Sequence, residues 1–256
     1  MSGFAQRYGP WAVIAGASEG IGAAFARALA ERGVNLVLVA RRAEPLTELA
    51  ATLPVETVAV PADLGTPDGL AAVYEATGER EVGLVVANAA LSPSGPFVGA
   101  DLADLHRVLD LNCRAVLDLA HHYLAPMAAR GRGGMIVMSS ASGMQGGPLL
   151  TTYAASKAFG AVLAEGLWWE MRGTGVDVVA CIAGAVSTPN LARAAKREAP
   201  GTVTPEVVAE TALRGLGHGP RVVPGGFMRF STALMARVMP RRTTIGMMAK
   251  ATEKIL

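Results

Sequence analysis

The chain predicts an α/β fold built on a doubly wound parallel sheet with helices on both faces, and three features predict it. Short runs of branched apolar residues alternate with stretches of helical periodicity from Trp11 to about Pro224. The first run, Trp11 to Gly16, passes into a glycine turn, Gly16-Ala17-Ser18-Glu19-Gly20-Ile21-Gly22, that opens a helix. A later run, Met135 to Ser140, ends in two serines. After a glycine-rich loop, Tyr153 and Lys157 follow four residues apart, on one face of a helix.

A length of 256 residues suits one domain of this class, with residues 227–256 as a C-terminal extension. Hydrophobic residues make up 51% and charged residues 17%, which implies a large core. The net charge of +2, without a basic stripe in the main body, argues against nucleic-acid binding. Cys113 and Cys181 read as small buried residues of a reducing compartment. Neither a charged leader followed by an apolar core nor a run of about 18 apolar residues is present, so a cytoplasmic location is expected. No metal site is expected.

The elements follow in order. Trp11–Gly16 is a strand, and the helix after it carries Phe25, Leu29 and Ala30 on one face and ends at Gly33. Glycines let a backbone approach a pyrophosphate, and a helix N-terminus offers N–H groups to it. The spacing Gly16-x-x-x-Gly20-x-Gly22 differs from G-x-G-x-x-G. Val34–Ala40 is a second strand. Its end reads Ala40-Arg41-Arg42, where NAD-binding folds commonly place an acid for the ribose hydroxyls. Two guanidiniums there suit a 2′-phosphate and favour NADP(H) over NAD(H), although they also fit a solvated helix start. Glu19 weakens that preference. Leu46–Leu53 is a helix and Val55–Val60 a third strand. Asp63, before Leu64, either caps the next helix, which starts at Pro67, or holds an adenine amino group.

Val82–Ala87 is a fourth strand, ending in Asn88-Ala89-Ala90. Asn88 either braces the sheet or lines the cofactor floor. After a Pro/Gly loop, two helical stretches meet at Asn112, which reads as a kink, a cap or a functional residue and must find polar partners. The serine-ended strand and the Tyr153 helix, running to about Arg172, come next. Val176–Ile182 is a sixth strand, residues 190–203 read as a mobile segment, Thr204 caps a helix with Pro205 in its first turn, and Arg221–Pro224 is a last short strand.

The Tyr–Lys pair has chemical meaning. Lowering a tyrosine pKa from about 10 to about 7 takes roughly 4 kcal/mol. An ammonium about 4 Å away supplies roughly that much at an effective dielectric near 20. Tyr153 beside Lys157 can then act as a general acid and base, and Ser140 can hold a carbonyl oxygen. Taken alone, a Tyr-x-x-x-Lys spacing is usually an ordinary helix surface.

Together, Gly16-x-x-x-Gly20-x-Gly22, Asn88-Ala89-Ala90, Asn112, Ser140 and Tyr153-x-x-x-Lys157 resemble, in order and spacing, the classical short-chain dehydrogenases/reductases over about residues 10–226. The resemblance implies a Rossmann-type sheet of about seven strands and hydride transfer between a nicotinamide and a carbonyl carbon. It implies Tyr153 as acid/base, Ser140 orienting the carbonyl, Lys157 lowering the tyrosine pKa and holding ribose, and Asn112 supporting a water relay. Gly16, Ser18, Glu19, Gly20, Ile21, Gly22, Arg41, Arg42, Asp63, Leu64, Asn88, Ala89, Ala90, Val186 and Thr188 would line the cofactor, with Thr188 at the nicotinamide amide. A homodimer or homotetramer, built through the helices near Asn112 and Tyr153, is implied too. Ala15, Ala90 and Ala183 depart from the usual Thr, Gly and Pro, which bears on loop geometry rather than on the reacting groups.

After Gly226, Phe227, Phe230, Leu234, Met235, Val238 and Met239 recur at helical spacing. Arg229, Arg237, Arg241, Arg242, Lys250 and Lys254 face Glu253 as the single acid there. Such a tail can lie on a membrane surface, close over an apolar substrate, or pack on the protein. The small apolar character of residues 91–100, 143–152 and 189–203 fits a lipophilic ketone or alcohol. An NADP-binding sensor or scaffold without activity, and within enzymes an epimerase, are the alternatives.

Overall fold

The computed structural model describes residues 3–194 and 201–255. Seven parallel strands form one sheet in the order β3-β2-β1-β4-β5-β6-β7. The strands are β1 (Trp11–Ala15), β2 (Asn35–Ala40), β3 (Thr57–Pro61), β4 (Val82–Ala87), β5 (Gly133–Ser140), β6 (Val176–Ala183) and β7 (Arg221–Val222). The chain steps outward from β1 to β3, then returns to place β4 on the other side of β1. A crevice opens at such a reversal, beyond the carboxyl ends of the two strands.

Helices between the strands cover both faces. They are α1 (Gly3–Tyr8), α2 (Gly20–Glu31), α3 (Ala43–Ala51), α4 (Pro67–Thr77), α5 (Leu102–Leu109), α6 (Ala115–Ala129), α7 (Thr151–Glu170), α8 (Pro189–Ala194) and α9 (Pro205–Gly215), followed by α10 (Gly226–Val238) and α11 (Arg241–Ile255). In β1, Ala12 and Ile14 face the layer that holds Phe25 and Leu29 of α2 and Val208 of α9. Trp11, Val13 and Ala15 face the layer that holds Leu119 of α6 and Ala164 of α7. Period-two alternation thus feeds two cores, and every β1 residue is buried, as a central parallel strand requires. A side chain such as Phe25, fully buried, contributes about 1.5–3 kcal/mol.

The expected strands are all present, with ends moved by a residue or two. Three readings are corrected and one element is added. The short helix α1 was not anticipated; Tyr8 ties it to β6 by donating to Asp177 at 2.6 Å. Asp63 does not cap α4. Thr66 does, accepting from Gly69 N at 3.0 Å, while Asp63 closes a local turn by accepting from Gly65 N at 3.0 Å. The segment 190–203 is not uniformly irregular: α8 occupies its start and Val203 pairs with Val186, while residues 195–200 lie outside the described residues. The tail forms two helices rather than one, because Pro240 interrupts it. The side chains of Met235, Arg237, Val238, Glu253 and Lys254 lie outside the described residues. Among the described residues, no helix is long and apolar enough to cross a membrane.

Candidate active site

The glycine turn leaves the sheet immediately after β1, where Gly16 N and Ala17 N both donate to Val39 O, at 2.8 and 3.0 Å. Gly22 admits no side chain: a Cβ there would fall 1.9 Å from Gly16 O. The first turn of α2 therefore seats directly on the loop that precedes it. Glu19, at the N-cap position, gives no side-chain bond to that turn. The Thr188 methyl would lie 3.1 Å from a Cβ on Gly20, so Thr188 packs directly against the glycine turn and the two form one wall. Asn88, at the end of β4, donates to Ala15 O and Gly16 O, both at 3.1 Å. Its side chain braces the reversal point of the sheet.

Arg41 and Arg42 follow β2 and are both exposed. Arg42 pairs with Glu19 at 3.3 Å, so the acid in the glycine turn faces one of the two arginines. Leu64 is buried in the core. Ala89 is half-buried and Ala90 exposed beside Asn88, and Ser18 and Ile21 are half-buried on the turn.

The second wall is built from β5 and α7. Ser140 is the last residue of β5, and its hydroxyl oxygen accepts from Ser142 N at 3.2 Å as the chain enters a 3-10 turn, Ala141–Met144. A Cβ on Gly143 would lie 2.6 Å from Ala158 N, so this turn packs directly on the α7 backbone beside Lys157. Ser139 donates to Lys157 O at 2.7 Å. Lys157 is buried; its Nζ donates to Met138 O at 2.9 Å and lies 5.8 Å from the Tyr153 ring centroid.

The electrostatics differ from the sequence-based expectation. Burial raises the Tyr153 pKa, and a side-chain hydrogen bond with Ser140 lowers it in part. Burial draws the Lys157 ammonium down to about 8, partly offset by the nearby Cys113. The lysine gives one of its three N–H donors to the Met138 carbonyl and lies over the tyrosine ring. The expected drop of the tyrosine to neutrality is therefore not built into the protein groups. Ser140 is the group that favours the phenolate.

Asn112 sits in a π-helical turn, Asp110–Arg114, where α5 passes into α6. Its side chain accepts from Leu91 N at 2.8 Å and donates to Leu91 O and Ser156 Oγ, both at 2.9 Å. The polar side chain is thus satisfied by the loop after β4 and by α7. Its bonds run to Leu91 and Ser156 rather than to Lys157.

The sequence profile described as short chain dehydrogenase matches residues 10–199. The chain belongs to the short chain dehydrogenase family. A 7beta-hydroxysteroid dehydrogenase from Clostridium sardiniense is 37% identical over 190 residues, 73% of each chain. A structure solved in a study of 7beta-hydroxysteroid dehydrogenase stereoselectivity superposes with a TM-score of 0.89 at 31% identity, over 96% of this chain and 98% of that one. A short-chain dehydrogenase from Sphingobium yanoikuyae in complex with NADPH superposes at 0.79 with 30% identity, over 90% and 96% of the two chains. As a short chain dehydrogenase, the protein is an oxidoreductase of the CH–OH/C=O class that uses a nicotinamide dinucleotide. The glycine turn, which brings the N-terminus of α2 directly onto the loop after β1, fits such a cofactor.

Three contributors to this short chain dehydrogenase site were not singled out from sequence: Ser139, Gly143 and Ser156. Ser156 carried a legible signal, since a serine inside an apolar helix must find partners when buried. Ser139 did too, because alternation along β5 sends adjacent serines to opposite faces. A cavity of about 370 Å³ between α4 and α6, lined by Tyr74, Arg114 and His122 among others, includes no residue of the glycine turn or α7.

Proposed function

We propose that the protein is an NADP(H)-dependent oxidoreductase that interconverts a ketone and a secondary alcohol on a bulky lipophilic substrate, with Tyr153 moving the proton. The observation that carries this reading is the gathering of Ser140, Tyr153 and Lys157 where β5 ends and α7 begins, in a chain whose glycine turn follows β1 at the reversal point of the sheet. Ser140 holds the carbonyl oxygen and Tyr153 gives it a proton during reduction. Lys157 carries its ammonium over the tyrosine ring and would hold ribose hydroxyls. The bound nicotinamide supplies or accepts the hydride. The glycine turn, with Ser18 and Ile21, would hold the pyrophosphate; Asp63 and Leu64 the adenine side; Asn88, Ala89 and Ala90 the floor; Val186 and Thr188 the nicotinamide amide.

The test is incubation with NADPH and ketones graded in size up to steroid ketones. Consumption of NADPH supports the reading. Fluorescence quenching without consumption across the panel would identify a silent binder and overturn it.

Arg41 and Arg42 supply the preference for NADP(H). A charge-assisted bond to phosphate contributes about 1.5–3 kcal/mol, so changing both to Ala is expected to weaken NADPH binding roughly 10- to 100-fold and NADH binding little. Titration of both cofactors checks this, and equal losses would refute the 2′-phosphate assignment. Because Glu19 already pairs with Arg42, the larger share of the effect is expected at Arg41.

A bulky lipophilic substrate is supported by the relatives named hydroxysteroid dehydrogenases and by the tail. Met228 of α10 packs at Gly184, Phe227 at Gly201 and Ile245 of α11 at Gly146, so both helices lie on loops that follow β5 and β6. Removing residues after Gly226 is expected to raise KM for large ketones several-fold more than for small ones. Equal changes in the two KM values would remove the tail from the substrate site.

A further inference from the structure

We propose that Ser156 is a positioning residue that fastens the loop after β4 to the acid–base tyrosine. This rests on the role proposed above for Tyr153. Ser156 is 1% exposed and lies within the first turns of α7, between Tyr153 and Lys157. Its hydroxyl donates to Tyr153 O at 2.7 Å and accepts from Asn112 Nδ2 at 2.9 Å. Both polar atoms of the Asn112 amide also hold the Leu91 backbone, one at its N–H and one at its carbonyl. A continuous hydrogen-bonded chain thus runs from Leu91 through Asn112 and Ser156 to the backbone of Tyr153.

A buried helical serine often bonds the carbonyl one turn back, and that bond alone would only satisfy its own polar group. The second partner sets Ser156 apart, because Asn112 belongs to another element and holds a third. The same loop has another tie to α7. Gly95 N donates to Leu149 O at 2.8 Å, two residues before α7 begins. Leu149 sits at φ 63°, a left-handed conformation that a bulky residue adopts only where its surroundings over-determine it. The loop 91–95 is therefore fastened at both ends to the start of the helix that carries Tyr153. A substrate that orders this loop also sets the tyrosine.

Removing the Ser156 hydroxyl leaves volume nearly unchanged and cuts the chain in its middle. Ser156→Ala is expected to lower kcat for ketone reduction about tenfold or more, since small misplacements of a reacting group are costly. The NADPH Kd is expected to stay close to wild type, and the melting temperature to fall by only a few degrees, because the buried Asn112 amide loses one partner. In a double-mutant cycle with Asn112→Ala, the two losses are expected not to add, because either change breaks the same chain. Wild-type kcat in Ser156→Ala, or losses that add independently, would overturn the proposal. So would a kcat loss matched by an equal loss of folded protein. If Tyr153→Phe keeps turnover, the acid–base reading falls and takes this one with it; if Ser156→Ala alone keeps it, only this proposal falls.

Discussion

Tyr153→Phe is expected to lower ketone turnover by about two to four orders of magnitude, the range of a lost general acid. NADPH affinity is expected to stay within about threefold. Phenylalanine keeps the ring over Lys157 Nζ and removes only the hydroxyl. Steady-state rates with a reactive ketone, set beside a fluorescence titration of NADPH, separate the two quantities. A variant within tenfold of wild type would mean that the proton comes from another group. The direction of the tyrosine shift adds a pH dependence. Burial keeps the phenol protonated through neutral pH, so it can donate to a ketone there. Reduction is then expected to hold across neutrality, while alcohol oxidation, which needs the phenolate, climbs as pH rises. A reduction rate that vanished near pH 7 would contradict this.

Lys157→Met is expected to abolish most activity and to make the protein more stable at pH 7. The lysine is buried with one hydrogen bond, from Nζ to Met138 O, and burial draws its pKa from 10.5 to about 8. That difference corresponds to roughly 3 kcal/mol against the charged form. Methionine fills similar volume without the charge and forfeits the hydrogen bond, about 1 kcal/mol. The net gain is then about 2 kcal/mol, or roughly 4–8 °C in melting temperature for a chain of this size. The sign follows from proton binding. Between about pH 8 and 10.5 the unfolded chain holds the lysine proton and the folded chain has released it. Wild type therefore gains stability as pH rises through that window, and Lys157→Met, with nothing to titrate, does not. The advantage of the variant is greatest below pH 8 and closes towards 10.5. Calorimetry at pH 7 and pH 10 measures it. A variant less stable at pH 7 would show that the bond to Met138 outweighs the buried charge.

Local rules made much of this fold legible. The runs Trp11–Ala15 and Val82–Ala87 are buried along their whole length, as central parallel strands are, and each appears where its apolar pattern places it. Thr204 and Pro205 announced the start of α9, and the Thr204 hydroxyl accepts from Val207 N. What stayed hidden depended on partners distant in sequence. Asp63 and Thr66 are both plausible caps in isolation, and only the backbone path decides between them. Asn112 promised a bend, but not that Leu91 and Ser156 would share its amide. For Lys157, spacing put the ammonium on the tyrosine's face, yet one of its donors goes to the Met138 carbonyl and burial raises the tyrosine pKa instead of lowering it. Charge effects in a dry interior depend on depth and competing acceptors, which spacing along a helix does not encode.

The bracing by Asn88 has a mechanical consequence. One amide clamps the ends of β1 and β4 together at the seam where the dinucleotide crevice begins. The spacing of the two strand ends at the floor of the crevice is thereby set by a single side chain rather than by the loops above it.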